Sequence, residues 1–324
     1  MSWRVTIPVG GGERLMGFAV LLALAVPSCE EGGGNTSAPP ENPAPPLVYK
    51  TKDWPAPRGG VELQGRVHDP VPPDPKVAWM FEADSALVAD AAVADGVVYV
   101  GSSMGTLYAI DAATGNKIWS VETDDTIEGA PTVALGRVFV GSDDNNFYAL
   151  DVATGKEVWK LEGQDKFPAG ANLVKSPDGR EDWILVNGYD GVARCLRAVD
   201  GSAVWEYETS NYINGVPGVV DGKYVVFGGC DALVHAVKLA DGSPANQVET
   251  EAYIIESVAT HGRMIYCSNY AYQVVAADVE GKAPKWIYSA DDHTFPTAPA
   301  VDDHHVYMGS QDKHLHAIDR ETGE

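Results

Sequence analysis

Short runs of alternating apolar and polar residues recur about every forty positions along most of this chain. The clearest is an eleven-residue register met six times: VGSSMGTLYAI (100–110), VGSDDNNFYAL (140–150), VNGYDGVARCL (186–196), FGGCDALVHAV (227–237), CSNYAYQVVAA (267–277) and MGSQDKHLHAI (308–318). Its small residue, at Ala109, Ala149, Cys195, Ala236, Ala276 and Ala317, steps by 40, 46, 41, 40 and 41. Strand-and-turn units at this period predict blades of a β-propeller, each a four-stranded antiparallel sheet, and hence an all-β fold.

Two copies continue as AxDxxTGxxxW, through Asp111, Gly115 and Trp119 and through Asp151, Gly155 and Trp159. In the third and fifth the spacing still reaches Trp205 and Trp286, while the fourth carries Asn246 there. An Asp after a strand accepts backbone N–H groups of the next turn, Gly takes the positive φ, and the Trp buries its ring against a neighbouring blade. Regularity over six copies assigns these residues to the fold rather than to catalysis.

On these residues the chain, from about Trp54 to Glu324, resembles the quinoprotein-like (PQQ-like repeat) propellers, and within them the BamB-type outer-membrane assembly lipoproteins. The resemblance implies eight blades, whereas six are visible here. Lys76–Glu82 (KVAWMFE) reads as a lone outer strand, and the last copy ends inside its turn at Glu324. Either the N-terminal strand completes the last blade of a six-bladed ring, or this is a truncated eight-bladed ring; the motif begun at Thr322 and Gly323 favours the second. The 46-residue step is explained by an exposed hairpin at 175–183 (KSPDGREDW).

Ahead of the repeats, Met16–Val26 is an eleven-residue apolar stretch after Arg4 and Arg14, too short to span a bilayer and suited to a signal peptide over 1–28. Cys29 closes it and resembles a lipobox cysteine, so residues 29–53, rich in Gly, Pro and polar residues, are expected to form a lipidated, solvated tether to the propeller of 54–324. The expected location is the periplasm, anchored to a membrane, with the outer one favoured by the resemblance. Cys195 replaces the small Ala of the register as a packed thiol, and a bridge between Cys230 and Cys267 is left open.

With 46 acidic against 23 basic residues and a net charge of −23, the chain is not suited to nucleic acid. Polar residues expected near the axial funnel are Asp90, Glu128, Asn214, Glu256 and His293, candidates by position alone. The histidines at 304, 305, 314 and 316 and the SDDNN run (142–146) lack the ligand spacing of a metal site, and no metal is assigned. The expected function is a non-catalytic scaffold for envelope proteins, among them the β-barrel assembly machinery, without a cofactor. The alternative is a quinoprotein dehydrogenase or small-molecule-binding module. For that, the resemblance implies PQQ with calcium on the axis and a pair of adjacent cysteines, which this chain lacks.

Overall fold

The computed structural model describes residues 4–9, 54, 56–59, 62–65, 74, 76–290 and 293–324. Cys29, the expected tether of 29–53 and most of the expected signal peptide lie outside them. A two-stranded sheet pairs β1 (Arg4–Val9) with β2 (Lys76–Glu82). Six antiparallel blades follow. Blade I holds β3 (Ala92–Ala94), β4 (Val97–Gly101), β5 (Thr106–Asp111) and β6 (Lys117–Glu122). Blade II holds β7 (Thr132–Ala134), β8 (Arg137–Gly141), β9 (Asn146–Asp151) and β10 (Glu157–Glu162). Blade III holds β11 (Asn172–Lys175), β12 (Asp182–Asn187), β13 (Val192–Arg197) and β14 (Ala203–Glu208). Blade IV holds β15 (Ile213–Val220), β16 (Tyr224–Gly229), β17 (Leu233–Lys238) and β18 (Pro244–Glu249). Blade V holds β19 (Ala259–His261), β20 (Met264–Asn269), β21 (Gln273–Asp278) and β22 (Pro284–Ser289). Blade VI holds β23 (Ala300–Val301), β24 (His305–Gly309) and β25 (Leu315–Asp319).

The first strands of successive blades touch one another and therefore lie innermost. In blades I to V the two middle strands are buried on both faces, as in Val98, Tyr99 and Val100 of β4 and Leu107 to Ile110 of β5, because blades stack face to face, while β24 and β25 of blade VI are only partly covered. Outer strands such as β10 alternate exposed and covered positions, the period expected of a strand with one wet face. The lone outer strand, β2, precedes blade I, but its partner is β1 and not β25, so it does not complete blade VI.

Blades are joined by one repeated contact. The indole N–H of each outer-strand Trp donates to a carbonyl in the next blade's last turn: Trp79 to Ala112 (2.9 Å), Trp119 to Val152 (3.1 Å), Trp159 to Ala198 (3.2 Å), Trp205 to Leu239 (2.8 Å) and Trp286 to Arg320 (2.9 Å). The turn glycine lies flat on that ring. At Gly201 a Cβ would stand 2.7 Å from Trp159 Cε3, and φ is +73°, so both space and backbone demand glycine. Blade IV lacks the Trp, and Asn246 supplies the bond instead, its Nδ2 donating to Val279 O at 3.1 Å. The turn Asp residues cap locally: Asp111 accepts from the N–H of Ala113 and Thr114 and from the Thr114 hydroxyl, which holds its carboxyl below the usual range.

Cys195, Cys230 and Cys267 are all unpaired, so the bridge left open between Cys230 and Cys267 is not formed. Cys267 is enclosed in β20 among Val226, Val234 and Val275, where burial pushes its thiol up to about 12. Cys195 is likewise fully buried and also pushed up to about 12 by burial.

Candidate functional site

Backbone hydrogen bonds define two faces. In every blade the loop leading to the first strand is tied to the turn between the second and third strands: Ser103 to Ala86, Asp143 to Thr126, Tyr189 to Lys166, Cys230 to Tyr212, Tyr270 to Tyr253 and Gln311 to Thr294, all at 2.8–3.0 Å. This is the loop face. At the opposite ends of the strands the two remaining turns are tied together, as in Ala112 to Gly96 and Ala198 to Asp182 (both 2.9 Å), which makes the turn face.

N-terminal to the blades, the described residues 54, 56–59 and 62–65 form a strap that links the inner edges of blades on several sides of the axis. Trp54 exchanges both backbone bonds with Val93 of β3 (2.8 and 2.9 Å). The N–H of Thr260 in β19 donates to Glu62 O (2.8 Å), and that of Val301 in β23 to Gln64 O (2.9 Å). Leu63 is buried against Ala169 and Val216, from blades III and IV. Arg58 Nε donates to Leu63 O at 3.1 Å and Nη2 to Pro299 O, which fixes the guanidinium among the inner strands.

Three of the five funnel candidates gather near this strap. Asp90, Glu128 and Glu256 act on one another or on Arg58 through their charges. The Glu256 side chain has a surface open to solvent, yet enough protein surrounds it that desolvation, with Asp90 adding, raises its carboxyl above the ordinary value; Arg58 opposes that rise. Burial lowers the Arg58 pKa, with Asp90 and Glu256 acting in the other direction. Asn214 is committed to the fold, donating to Ile254 O at 2.6 Å and to Cys230 Sγ at 3.5 Å. His293 is exposed in the loop before blade VI. Arg58, the cation of the cluster, has no repeat signal and no charged neighbour in sequence that would have singled it out.

The loop face carries the aromatic surface. Tyr212, Tyr253, Tyr270 and Tyr272 are exposed by 49, 51, 57 and 39 %. Tyr189 of blade III stacks on Tyr212 of blade IV with ring centroids 5.2 Å apart and planes at 16°. Lys166 Nζ lies 5.1 Å over the Tyr189 ring, 2.9 Å from Asp143 and 3.7 Å from Glu128. Beside the stacked rings a groove of about 370 Å³ runs along Gln164, Asp165, Asn211 and Tyr212. The acids of the SDDNN run are used internally: Asp143 binds Lys166, and Asp144 accepts the Tyr148 hydroxyl at 2.7 Å. His316 is held between Asp312 (2.8 Å) and the Tyr288 hydroxyl (2.9 Å), and among the described residues no three His, Cys, Asp or Glu side chains are grouped to hold a metal ion.

The family model for outer membrane protein assembly factor BamB matches residues 64–170 and 166–324. The chain belongs to the BamB family. Among solved structures, BamB from Moraxella catarrhalis superposes with a TM-score of 0.66 at 22 % identity, covering 77 % of this chain and 76 % of that one. The computationally designed Ika8 protein gives 0.62 at 18 % identity, covering 74 % and 72 %. A quinohemoprotein alcohol dehydrogenase from Pseudomonas putida gives 0.61 at 17 % identity, covering 78 % of this chain and 61 % of that one. At these identities the three establish the propeller fold alone. No curated protein matches the sequence.

The last neighbour raises the question whether the axis suits a quinone such as PQQ, and the residues present do not fit one. A planar polycarboxylate needs open ring faces and unspent cations. Here the strap crosses between inner strands, Arg58 already donates to two carbonyls, and Asp90, Glu128 and Glu256 would repel its carboxylates.

Proposed function

We propose that this BamB-family propeller is a non-catalytic scaffold of the cell envelope that docks protein partners on its loop face, in the service of outer-membrane protein assembly. The observation that carries the reading is the set of exposed tyrosines on blades IV and V, Tyr212, Tyr253, Tyr270 and Tyr272, with the half-buried Tyr189 of blade III stacked on Tyr212. Exposed aromatic rings of this kind supply large rigid contact area and are enriched at the cores of protein interfaces. The family match and the BamB neighbour support the task, and β-barrel assembly proteins are the partners it implies. Lipidation at Cys29 and the tether to Asp53 would hold the propeller at a membrane; processing there removes β1 and leaves β2 as an outer edge.

The test is site-specific photocrosslinking in the protein's own envelope, with a benzophenone side chain at Tyr253 or Tyr270 and, as comparison, at Gly262 on the turn face, where a Cβ meets open space. Crosslinks from the tyrosine positions to a β-barrel assembly component, absent from position 262, are expected. Equal labelling from both faces, or none from the tyrosines, would refute the loop face as the docking surface.

A further inference from the structure

Blades II and III meet on the turn face around a groove of about 390 Å³, far from the tyrosines. Its walls carry Arg137, Arg180 and Arg197, three of the chain's ten arginines, in a protein of net charge −23. Two apolar side chains rise beside them, Leu135 and Val199, exposed by 52 and 64 %.

Comparison among the blades shows how unusual this corner is. The turn joining the first two strands is Asp95-Gly96 in blade I and Asp221-Gly222 in blade IV, with both residues at positive φ. Blade II puts Leu135 (φ +55°) before Gly136 in the same turn, where a left-handed backbone favours Asp or Asn and the side chain faces water. The turn-capping position holds Asp111, Asp151, Asp278 and Asp319 in four blades and a basic residue in two, Lys238 in blade IV and Arg197 in blade III, of which Arg197 lines the groove. Asp200 takes over the capping there, accepting from the N–H and hydroxyl of Ser202 (3.0 and 2.7 Å), so the turn survives the reversal of charge. Two residues on, Val199 stands where the other blades have Ala113, Ala153, Ala240, Glu280 and Glu321. The hairpin unique to blade III then adds Arg180. Four departures from the repeat thus converge at one place.

The acids nearby are already engaged. Asp182 pairs with Lys175 at 2.7 Å, while Glu181 accepts from Arg197 at 3.2 Å and from the Trp183 indole at 2.8 Å. Arg137 donates through Nη1 to Ala198 O across the blade boundary and has no carboxylate partner among the described residues. Among the described residues Arg180 reaches only Asp178, at 3.6 Å, with 84 % of its side chain exposed, a pair too wet to satisfy it.

We infer that this groove is a second docking site, for an extended peptide segment that carries a carboxylate beside an apolar side chain. Guanidinium groups match carboxylates in geometry as well as charge, and Leu135 and Val199 supply the apolar contact that a bare anion would not use. The strong overall negative charge disfavours a polyanion, which would be repelled by the rest of the surface, and leaves a short acidic segment as the fitting occupant. The site is independent of the loop-face reading and fails or stands without it.

Fluorescence polarisation with the purified full chain and the labelled hexapeptide Gly-Asp-Leu-Asp-Phe-Gly tests this, alongside peptides with Lys for Asp or Ser for Leu and Phe. Saturable binding of the acidic-apolar peptide is expected, weakened by salt between about 50 and 300 mM. Leu135→Asp, which restores the Asp-Gly turn of blades I and IV, should keep the melting temperature and weaken binding at least about tenfold, by removing an apolar contact and adding a like charge. Arg180→Ala should weaken it about threefold or more. No saturable binding, equal binding of the Lys peptide, or an unaffected Leu135→Asp variant would overturn the proposal. So would equal binding of the Ser peptide with full displacement by inorganic phosphate, which would make the groove a simple anion site.

Discussion

The contact between Gly201 and Trp159 makes a prediction that separates blade docking from turn formation. Trp159 is 9 % exposed, packs on Phe139 and Phe147 at centroid distances of 5.8 and 6.1 Å, and donates to Ala198 O. Trp159→Ala should therefore cost about 3–5 kcal/mol, the usual range for truncating a buried aromatic. Gly201→Ala meets two penalties: about 1–2 kcal/mol for a Cβ in the left-handed region and about 1–3 kcal/mol for forcing that Cβ to 2.7 Å from the indole. Gly179 isolates the first, since it has φ +73° and open space where a Cβ would go. In the Trp159→Ala background the steric penalty has no ring to act on, so Gly201→Ala should cost no more there than Gly179→Ala does in the wild type. Denaturant unfolding of the four proteins of the cycle, followed by far-ultraviolet circular dichroism, measures this coupling. If Gly201→Ala cost the same with and without the indole, the glycine would serve the turn alone and the docking argument would fail.

Two further outcomes follow from the axial cluster and the N-terminus. Because burial and Asp90 raise the Glu256 pKa in the folded protein above its value of 4.5 in the unfolded chain, its ionisation works against folding as pH rises through the folded pKa. Glu256→Gln should accordingly raise the melting temperature at pH 7 and leave it unchanged near pH 4; a lower melting temperature at pH 7 would show that the pairing with Arg58 outweighs desolvation. Cys29→Ala should release the protein from membranes or leave it unprocessed in cell fractionation, and unchanged membrane association with normal processing would rule out a lipid at that residue.

The blades were legible in sequence because a repeat writes the same physical demand six times. The small residue of the register lies in the third strand of each blade, which in blades I to V is buried on both faces and leaves little room for a side chain, whereas Ala317 of blade VI is exposed. Other features were less legible for identifiable reasons. The glycine of the motif reads as a turn residue, but its second duty, lying flat on an indole some forty residues upstream, depends on contact between blades that no local pattern encodes. Asn246 reads as an eroded Trp, yet it preserves the hydrogen bond and loses only the ring. The strap of 54–65 has no periodicity, because it binds mainly through its backbone, and with it Arg58 stayed hidden. Of the funnel candidates, Asp90, Glu128 and Glu256 sit on loops that repeat geometry brings together, whereas Asn214 was drawn into the fold by Ile254 O.

A ring of near-identical blades sets its own condition for specificity. Residues that recur through most copies, such as the docking Trp and the capping Asp, present the same surface several times and cannot tell a partner where to sit. Recognition must therefore come from positions where the repeat is broken without harm to the blade. On the loop face the breaks are Tyr189, Tyr212, Tyr253, Tyr270 and Tyr272, confined to blades III to V. On the turn face they are Leu135, Arg180, Arg197 and Val199, confined to the junction of blades II and III. In each case the supporting backbone bond between turn and loop, or turn and turn, keeps the length it has in unbroken blades. The broken positions are thus exposed substitutions on an intact frame, which is the arrangement that lets one fold hold separate partners on its two faces.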